Sequence, residues 1–358
     1  MADLRPVVHL LPAEPFGGLQ RIVVELARAQ RAAGRVADIV LLGPSERVEA
    51  HCRAAGITPI ILSGGKLGRM FALRRTLDGF GSAIVHSHCE PVWAAIVLAA
   101  SRNPWVVHLH VYARHLGIRD WLSNRIYRRR PDRFLAITRS VAESFIAPGL
   151  ARADRLDVVH NGLEYSALPY PAPREAHGFT IGFVGRAVRE KGLFDFIAAA
   201  ELLRNDAGLR FVIAGDGEDL AEARATIEAR GLEDHVEALG FVDDMAPIWS
   251  RIDLLAMLSD REPFGLVILE AIASGVGVLG YDTPSGGREI METIAGCRLV
   301  APSSIPAIAA AMRAAAQDPA ALRGEALLGR AQVLDRFSMD RMEEEVALGY
   351  SRLTGNAP

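Results

Sequence analysis

The sequence predicts an α/β protein built from two domains, each with its own parallel sheet. Short apolar segments typical of buried strands alternate with amphipathic helical segments, as in parallel sheets. The chain has 358 residues, of which half are hydrophobic, enough for two cores. A proline-rich break, Ala167 to Pro173, separates two such series.

The first series is predicted to form one domain over residues 1–167. Strands are expected at Val7 to Leu11, Ala37 to Leu42, Ile57 to Leu62, Ala83 to His88, Trp105 to His110, Phe134 to Thr138 and Leu156 to Gly162. Helices are expected at Leu19 to Ala33, Lys66 to Phe80 and from Val141. Gly17 and Gly18 form the first strand-to-helix turn, where backbone amides can approach an anion; a tight turn that needs positive φ is the alternative.

After a semi-rigid linker over 168–176, the second series is predicted to form a domain over 177–337. Strands are expected at Phe179 to Val184, Leu209 to Ala214, Val236 to Phe241, Leu254 to Leu258 and Val276 to Tyr281. Helices are expected at Phe194 to Leu203, Leu220 to Arg230, Met245 to Ser250, Ile305 to Ala315 and Pro319 to Arg336. A last helix, 338–358, is expected to be capped by Ser338 or Asp340.

Composition excludes several classes of protein. The net charge of −3 implies no general attraction to nucleic acid. Three cysteines far apart in the sequence argue against a disulfide framework and fit a reducing cytosol. The apolar segment at the N-terminus is too short for the core of a signal peptide, and no apolar run is long enough to span a bilayer. We therefore expect a cytoplasmic protein, soluble or peripheral at the inner face of the membrane.

Two histidine pairs end consecutive predicted strands. Alternation along a strand places His86 with His88, and His108 with His110, on common faces at the carboxyl ends where α/β sheets bind ligands. Metal binding, with Cys89 nearby, and simple hydrogen bonding to loop backbone are alternatives. Contact with a ligand is the preferred interpretation, and His110 is the best candidate.

A basic region runs from Tyr112 to Arg133 and contains seven arginines with interleaved aromatic and aliphatic side chains. Such a region, here Arg114–Arg133, can face an anionic membrane or an anionic acceptor. The alternative is a solvated helix face.

The stretch from Ser259 to Ile272 is the most informative one. Pro263 suits the first turn of a helix that continues as a buried apolar run containing Glu270. If Glu262 and Glu270 share that helix, helical rise separates them by about 12 Å. A helix N-terminus between two carboxylates can bind an anion whose hydroxyl groups bond to the carboxylates. This pattern describes a site for a nucleoside diphosphate sugar; the alternative is that Glu262 only complements the helix dipole and Glu270 pairs with a core arginine.

Two cations follow the first strand of the second domain. Arg186 and Lys191 flank one strand-to-helix loop and can clamp a diphosphate; a plain surface pair is the alternative. Gly275 to Gly280 matches G-x-G-x-x-G, but the expected helix precedes it and the strand lies within it, which excludes a dinucleotide-binding dehydrogenase. No Asp-x-Asp occurs to hold a metal-bound nucleotide.

At Glu262-Pro263-Phe264-Gly265 and Glu270 the sequence resembles the Glu-x7-Glu motif of the retaining GT-B glycosyltransferases of the group-1, or GT4, family. Gly185-Arg186 with Lys191-Gly192 and Gly215-Asp216-Gly217 match that family in order and rough spacing. Looser matches are Gly17-Gly18, His110, Asn161-Gly162 and Phe337-Ser338.

The resemblance implies two Rossmann-like domains facing across a cleft, with the last helix crossing back to the first domain. It implies catalytic roles for Glu262, His110, Arg186 and Lys191. Donor-binding residues would be Gly17, Gly18, Arg186, Lys191, Gly215, Phe241, Glu262, Phe264, Gly265, Leu266 and Glu270. The donor would be a sugar carried by UDP or GDP, the acceptor a glycan, a lipid-linked or a small molecule, and the reaction would need no metal or other cofactor.

Two departures from the family pattern stand out. Pro263 replaces the usual glycine, and Asp282 to Gly287 is longer than the common Asp-x-Gly-Gly turn. Both can alter which sugar is accepted. A sugar-nucleotide epimerase on the same fold, or a catalytically silent GT-B partner protein, remains as an alternative.

Overall fold

The computed structural model describes residues 5–14, 16–113, 121–166, 168 and 178–354. The chain folds into two compact units. Unit 1 contains Met1–Glu164 together with Phe337–Pro358, and unit 2 contains Tyr165–Arg336. Most of the predicted linker, 169–176, lies outside the described residues.

Unit 1 alternates strands and helices, as predicted. Its strands are β1 (Val7–Leu11), β2 (Ala37–Leu41), β3 (Ile60–Ile61), β4 (Ile84–His88), β5 (Trp105–Leu109), β6 (Arg133–Ala136) and β7 (Leu156–Val158). Its helices up to residue 164 are α1 (Gly18–Ala32), α2 (Glu46–Ala54), α3 (Lys66–Gly79), α4 (Val92–Ala100), α5 (Trp121–Tyr127) and α6 (Arg139–Ile146). The strands form one parallel sheet in the order β3-β2-β1-β4-β5-β6-β7.

Unit 2 repeats the same design. Its strands are β8 (Phe179–Val184), β9 (Leu209–Ala214), β10 (Val236–Gly240), β11 (Leu254–Met257), β12 (Gly277–Tyr281) and β13 (Cys297–Val300). Its helices are α7 (Leu193–Leu202), α8 (Leu220–Ala229), α9 (Ala246–Arg251), α10 (Leu266–Ala273), α11 (Gly286–Met291), α12 (Ile305–Gln317) and α13 (Pro319–Arg336). These strands are parallel in the order β10-β9-β8-β11-β12-β13. The predicted architecture of two parallel sheets is confirmed.

The chain returns to unit 1 as α14 (Met339–Ser351). The Ser338 hydroxyl caps this helix by accepting a hydrogen bond from the amide of Arg341. Gly162 lies against the returning segment, and a Cβ there would be 2.2 Å from the carbonyl oxygen of Ser338. Only glycine allows this close approach.

In both sheets the strand order reverses once, between β1 and β4 in unit 1 and between β8 and β11 in unit 2. Ligands of open α/β sheets bind beyond the carboxyl ends of the strands at such a reversal. Each unit therefore has one preferred binding edge, and most of the residues singled out in the sequence follow strands next to it.

Some elements differ from the sequence prediction. α2, α4, α11 and β13 were not predicted, and α10 begins at Leu266, so the prediction that Pro263 occupies its first turn was wrong. None of the described helices is long and apolar enough to cross a bilayer.

Candidate functional site

A lysine–glutamate pair occupies the reversal point of the unit 2 sheet. Lys191 ends a 3-10 turn, Arg189–Lys191, after β8, and Glu262 lies in the loop after β11. Because β8 and β11 are hydrogen-bonded neighbours, these two loops emerge side by side. The Lys191 Nζ lies 2.5 Å from the Glu262 carboxylate, with side chains 23% and 11% exposed. The structure thus joins two residues that the sequence placed in separate motifs.

Glycine backbone fixes both members of this pair. Gly192 has φ +76°, and an added Cβ would lie 2.0 Å from the carbonyl oxygen of Leu258. The Gly287 amide, in the first turn of α11, donates to the carbonyl oxygen of Glu262 at 2.9 Å. An added Cβ on Gly287 would lie 3.0 Å from the Glu262 Cβ. The short helix that the sequence analysis missed is therefore what holds the Glu262 loop.

The N-terminus of α10 lies beside Glu262. Gly265 precedes the helix with φ +87°, and a Cβ there would come within 3.3 Å of the Glu262 Cγ. Phe264 is buried, and Leu266 is the first helical residue. The first amides of a helix carry partial positive charge, so this edge favours an anion.

Glu270 lies inside α10 and is buried, as predicted. Burial, together with the negative charge of Glu270, raises the pKa of Tyr165 above its usual range. The separation of about 12 Å that assumed one continuous helix does not apply, because Glu262 lies in the loop before the helix.

The ends of β8 and β9 approach each other through glycines. Gly215 has φ +149°, and an added Cβ would lie 1.7 Å from the carbonyl oxygen of Gly185. Arg186 is exposed next to this contact, and its side chain makes no hydrogen bond or ion pair with the residues that the structure describes. Phe241 follows β10 and is 61% exposed. A cation, Arg186, and an aromatic ring, Phe241, therefore follow β8 and β10 at the edge where Gly185 and Gly215 are in close backbone contact.

The remaining predicted residues, Gly17, Gly18 and His110, lie in unit 1. Gly17 has an extended φ of −174°, so the alternative of a turn requiring positive φ is wrong. A Cβ on Gly17 would meet no atom within 4 Å, and its amide donates to the Gln20 side chain at 3.0 Å. The backbone here is open on one side.

His110 belongs to a buried cluster that contains both predicted histidine pairs. His9 on β1, which the sequence analysis did not single out, joins them. Burial lowers the pKa of His9 to about 4 and of His110 to about 3. Nitrogen atoms of His9, His86 and His88, and of His88, His108 and His110, lie within 4.8 Å of one another, so either group could hold a metal ion.

The basic region is partly structural. Arg114 to Asp120 lie outside the described residues. Arg130 donates to the carbonyl oxygens of Ala99, Ser101 and Asn103, and Arg133 pairs with Asp157 at 2.6 Å. These two arginines bind their own unit, and the described part of the region is not a uniformly solvated basic face.

Comparisons with known proteins agree with this architecture. The family model described as "Glycosyltransferase Family 4" matches residues 16–166, and "Glycosyl transferases group 1" matches residues 172–326. A glycogen synthase from Mycobacterium tuberculosis is 30% identical over 295 residues, which span 75% of this chain and 68% of that protein. The chain belongs to the group 1 glycosyltransferase family, and it is a glycosyltransferase.

Other relatives of this glycosyltransferase carry names that describe different activities. The 2-deoxystreptamine glucosyltransferase of Streptomyces kanamyceticus is 28% identical over 213 residues, covering 59% of this chain and 54% of that protein. Among solved structures, Anabaena HepE in complex with UDP has a TM-score of 0.84 at 21% identity, covering 97% of this chain and all of that chain. A glycosyltransferase from Rickettsia africae has a TM-score of 0.85 at 16% identity, covering 99% and 100%. The glycosyltransferase therefore has the GT-B fold.

Proposed function

We propose that this glycosyltransferase moves a sugar from a nucleoside diphosphate sugar, with UDP or GDP as the carrier, to an acceptor hydroxyl with retention of anomeric configuration. The observation that carries the proposal is the Lys191–Glu262 pair beside the N-terminus of α10. A cation, a carboxylate and helix amides at one edge match the phosphates and hydroxyl groups of such a donor.

In this proposal the diphosphate of the donor binds to the Lys191 ammonium and the Arg186 guanidinium. The freed Glu262 carboxylate then accepts hydrogen bonds from hydroxyl groups of the sugar. Glu270 binds the ribose hydroxyls. The remaining donor contacts come from Gly17, Gly18, Gly215, Phe241 and the backbone amides of Phe264, Gly265 and Leu266. Lys191 and Glu262 neutralise each other in the pair, and the donor would separate them.

The proposed reaction breaks the bond between the anomeric carbon and the diphosphate oxygen, and the leaving diphosphate keeps the bonding electrons. The acceptor oxygen bonds to the same face of the carbon, and its proton passes to the leaving diphosphate. Lys191, Arg186 and the α10 amides stabilise the negative charge that develops, without a catalytic metal. His110 binds the sugar during this step.

The acceptor is proposed to be a glycan, a lipid-linked or a small molecule. The relatives include proteins named glycogen synthase and 2-deoxystreptamine glucosyltransferase, which supports the glycan and the small-molecule acceptor. Peripheral contact with anionic lipid at the inner membrane face is proposed through the basic region. Trp121 there is 61% exposed, with the Arg125 guanidinium over its ring. Co-sedimentation with vesicles containing anionic lipid tests this contact, and equal pelleting with neutral vesicles contradicts it.

A transfer assay tests the main proposal. UDP-glucose, GDP-mannose and ADP-glucose are each offered with a set of glycan, lipid-linked and aminocyclitol acceptors, with and without EDTA, and nucleoside diphosphate release and product mass are measured. We expect an α-linked product by NMR from an α-linked donor, with turnover unaffected by EDTA. A β-linked product would refute retention.

The isosteric variant Glu262→Gln tests the role of Glu262 in the same assay. It keeps the shape of the side chain but removes the negative charge that strengthens the hydrogen bonds from the sugar hydroxyls. We expect turnover to fall by about a hundredfold or more, with donor binding largely kept. Near-normal turnover would remove Glu262 from the site, and donor binding without transfer to any acceptor would favour a silent partner protein.

A further inference from the structure

Unit 1 contains a continuous hydrogen-bonded chain of buried side chains that ends at His110. His110 Nε2 lies 2.9 Å from His88 Nδ1, and His88 Nε2 lies 3.0 Å from His9 Nδ1. His9 Nε2 lies 2.8 Å from Gln30 Oε1. The Gln30 Nε2 donates to the Tyr350 hydroxyl at 3.2 Å. Every member is 8% exposed or less.

The chemistry of Gln30 gives the chain a direction. Its Oε1 can only accept, so His9 must carry its proton on Nε2. A neutral imidazole has one proton, and burial keeps these rings neutral by lowering their pKa values. His9 Nδ1 therefore accepts from His88 Nε2–H, and His88 Nδ1 accepts from His110 Nε2–H.

The Gln30 amide has a partner on each side, with its Oε1 at His9 and its Nε2 donating to Tyr350. Its Nε2 faces Tyr350, whose hydroxyl lies 2.6 Å from His86 Nδ1 and can donate to it. Gln30 is on α1 and Tyr350 on α14, so two helices hold the far end of the chain. Residues on rigid elements keep a functional side chain within the narrow range of geometry that it needs.

The consequence appears at the other ring nitrogen of His110. The Nε2–H of His110 donates to His88, which leaves Nδ1 with a lone pair and no proton. His110 is also the most exposed of the five clustered histidines, at 8%. A lone pair at the open end can accept a hydrogen bond from a hydroxyl group but cannot donate one.

We propose that His88, His9 and Gln30 are positioning residues that hold His110 in the Nε2–H tautomer, so that its Nδ1 accepts a hydrogen bond from a hydroxyl of the sugar substrate. This inference rests on the proposed function for the identity of the substrate alone. The tautomer and its anchoring follow from unit 1 by itself.

Two variants of one residue separate positioning from packing. In His88→Asn the side-chain oxygen can stand near the former Nδ1 and accept from His110. In His88→Gln the amide reaches the former Nε2, towards His9, and the partner of His110 is lost. We expect His88→Asn to keep kcat within about threefold of wild type, and His88→Gln to lower kcat by about tenfold to a hundredfold, with an unchanged Kd for the donor. Equal losses in both variants would mean packing alone and would overturn the proposal.

Ring ¹⁵N NMR of histidine-labelled full-length protein reads the tautomer without any activity. In the wild type and in His88→Asn, we expect the His110 signal to show a protonated Nε2 and an unprotonated Nδ1. A His110→Gln variant assigns this signal. In Gln30→Met, which removes the anchor and serves if the His88 variants do not fold, a mixture of tautomers is expected. An Nδ1–H His110 in wild type would overturn the proposal.

The same sample distinguishes metal binding. Stoichiometric uptake of Co²⁺ with visible d–d bands would show that these nitrogens are ligands and not hydrogen-bond partners, and it would also overturn the proposal. If wild type transfers no sugar but shows the Nε2–H tautomer, the proposed function fails while the anchored His110 stands.

Discussion

At the scale of single residues, charge and backbone space decide what the unit 2 edge can do. Lys191 and Arg189 belong to the same 3-10 turn but have different partners. Lys191 pairs with the largely buried Glu262, whereas Arg189 bonds to the exposed Glu222 and stacks on Phe194. This difference provides a matched pair of variants.

Lys191→Met should weaken binding of free nucleoside diphosphate about tenfold or more, because a charge-assisted hydrogen bond to phosphate contributes roughly 1.5–3 kcal/mol. Isothermal titration calorimetry measures this affinity. Arg189→Met, the control, should change it by less than about twofold. Similar affinity in wild type and Lys191→Met would refute the clamp.

Gly192→Ala should destabilise unit 2 by about 2–4 kcal/mol, because the new Cβ meets the Leu258 carbonyl in a left-handed backbone. Gly231→Ala is the control, since Gly231 has φ +61° but open space around it, and it should cost about 1 kcal/mol. Urea unfolding measures both. Equal costs would show that the close contact does not matter.

At the scale of helices and strands, the sequence predicted most of the architecture and part of the site. Alternating apolar segments predicted nearly every strand, and Lys191 and Glu262 were predicted as site residues, although in separate motifs that only the structure joins. α11 was missed because its sequence, Gly286–Met291, is short and begins with glycines that are typical of a turn. Pro263 was misplaced, since α10 begins only at Leu266, after Gly265.

The histidine chain could be predicted only in part. The pairs on β4 and β5 were visible as alternating residues at strand ends. Their link to Gln30 and Tyr350 joins residues 320 positions apart through a helix face and the end of the chain. No local pattern marks a buried glutamine as the anchor of a distant histidine, so only tertiary packing reveals it.

The last helix offers a prediction at this scale. Ser338→Ala removes the N-cap of α14 and should lower the free energy of unfolding of unit 1 by about 1 kcal/mol. Ser351→Ala, at the other end of the same helix, should change it by less than about 0.5 kcal/mol. Thermal unfolding monitored by circular dichroism compares the two, and no difference between them would argue against the cap.

At the scale of the whole molecule, the buried histidines make stability depend on pH. Their pKa values are lowered by burial, and Arg35 lowers that of His9 further. Between about pH 6.5 and 4 the unfolded chain therefore binds more protons than the folded chain. The stabilisation is complete above pH 6.5 and is lost as the pH falls.

We expect the midpoint of urea unfolding of unit 1 to drop steeply from pH 7 to pH 5. Each buried imidazole contributes up to about 1.4 kcal/mol per pH unit. His108→Leu should make this dependence shallower, because His108 is 1% exposed and neither ring nitrogen has a partner among the described residues. A pH dependence identical to that of wild type would show that His108 does not titrate on unfolding.

Because unit 1 takes its final helix from the end of the chain, it cannot be assembled in the order in which it is translated. Tyr350 reaches His86 only after all of unit 2 has been synthesised. During synthesis unit 2 can therefore fold first, while the histidines in the earlier part of unit 1 still lack their contact with Tyr350. If translation stopped a few codons before Tyr350, unit 1 would be destabilised, although most of its residues are synthesised before those of unit 2.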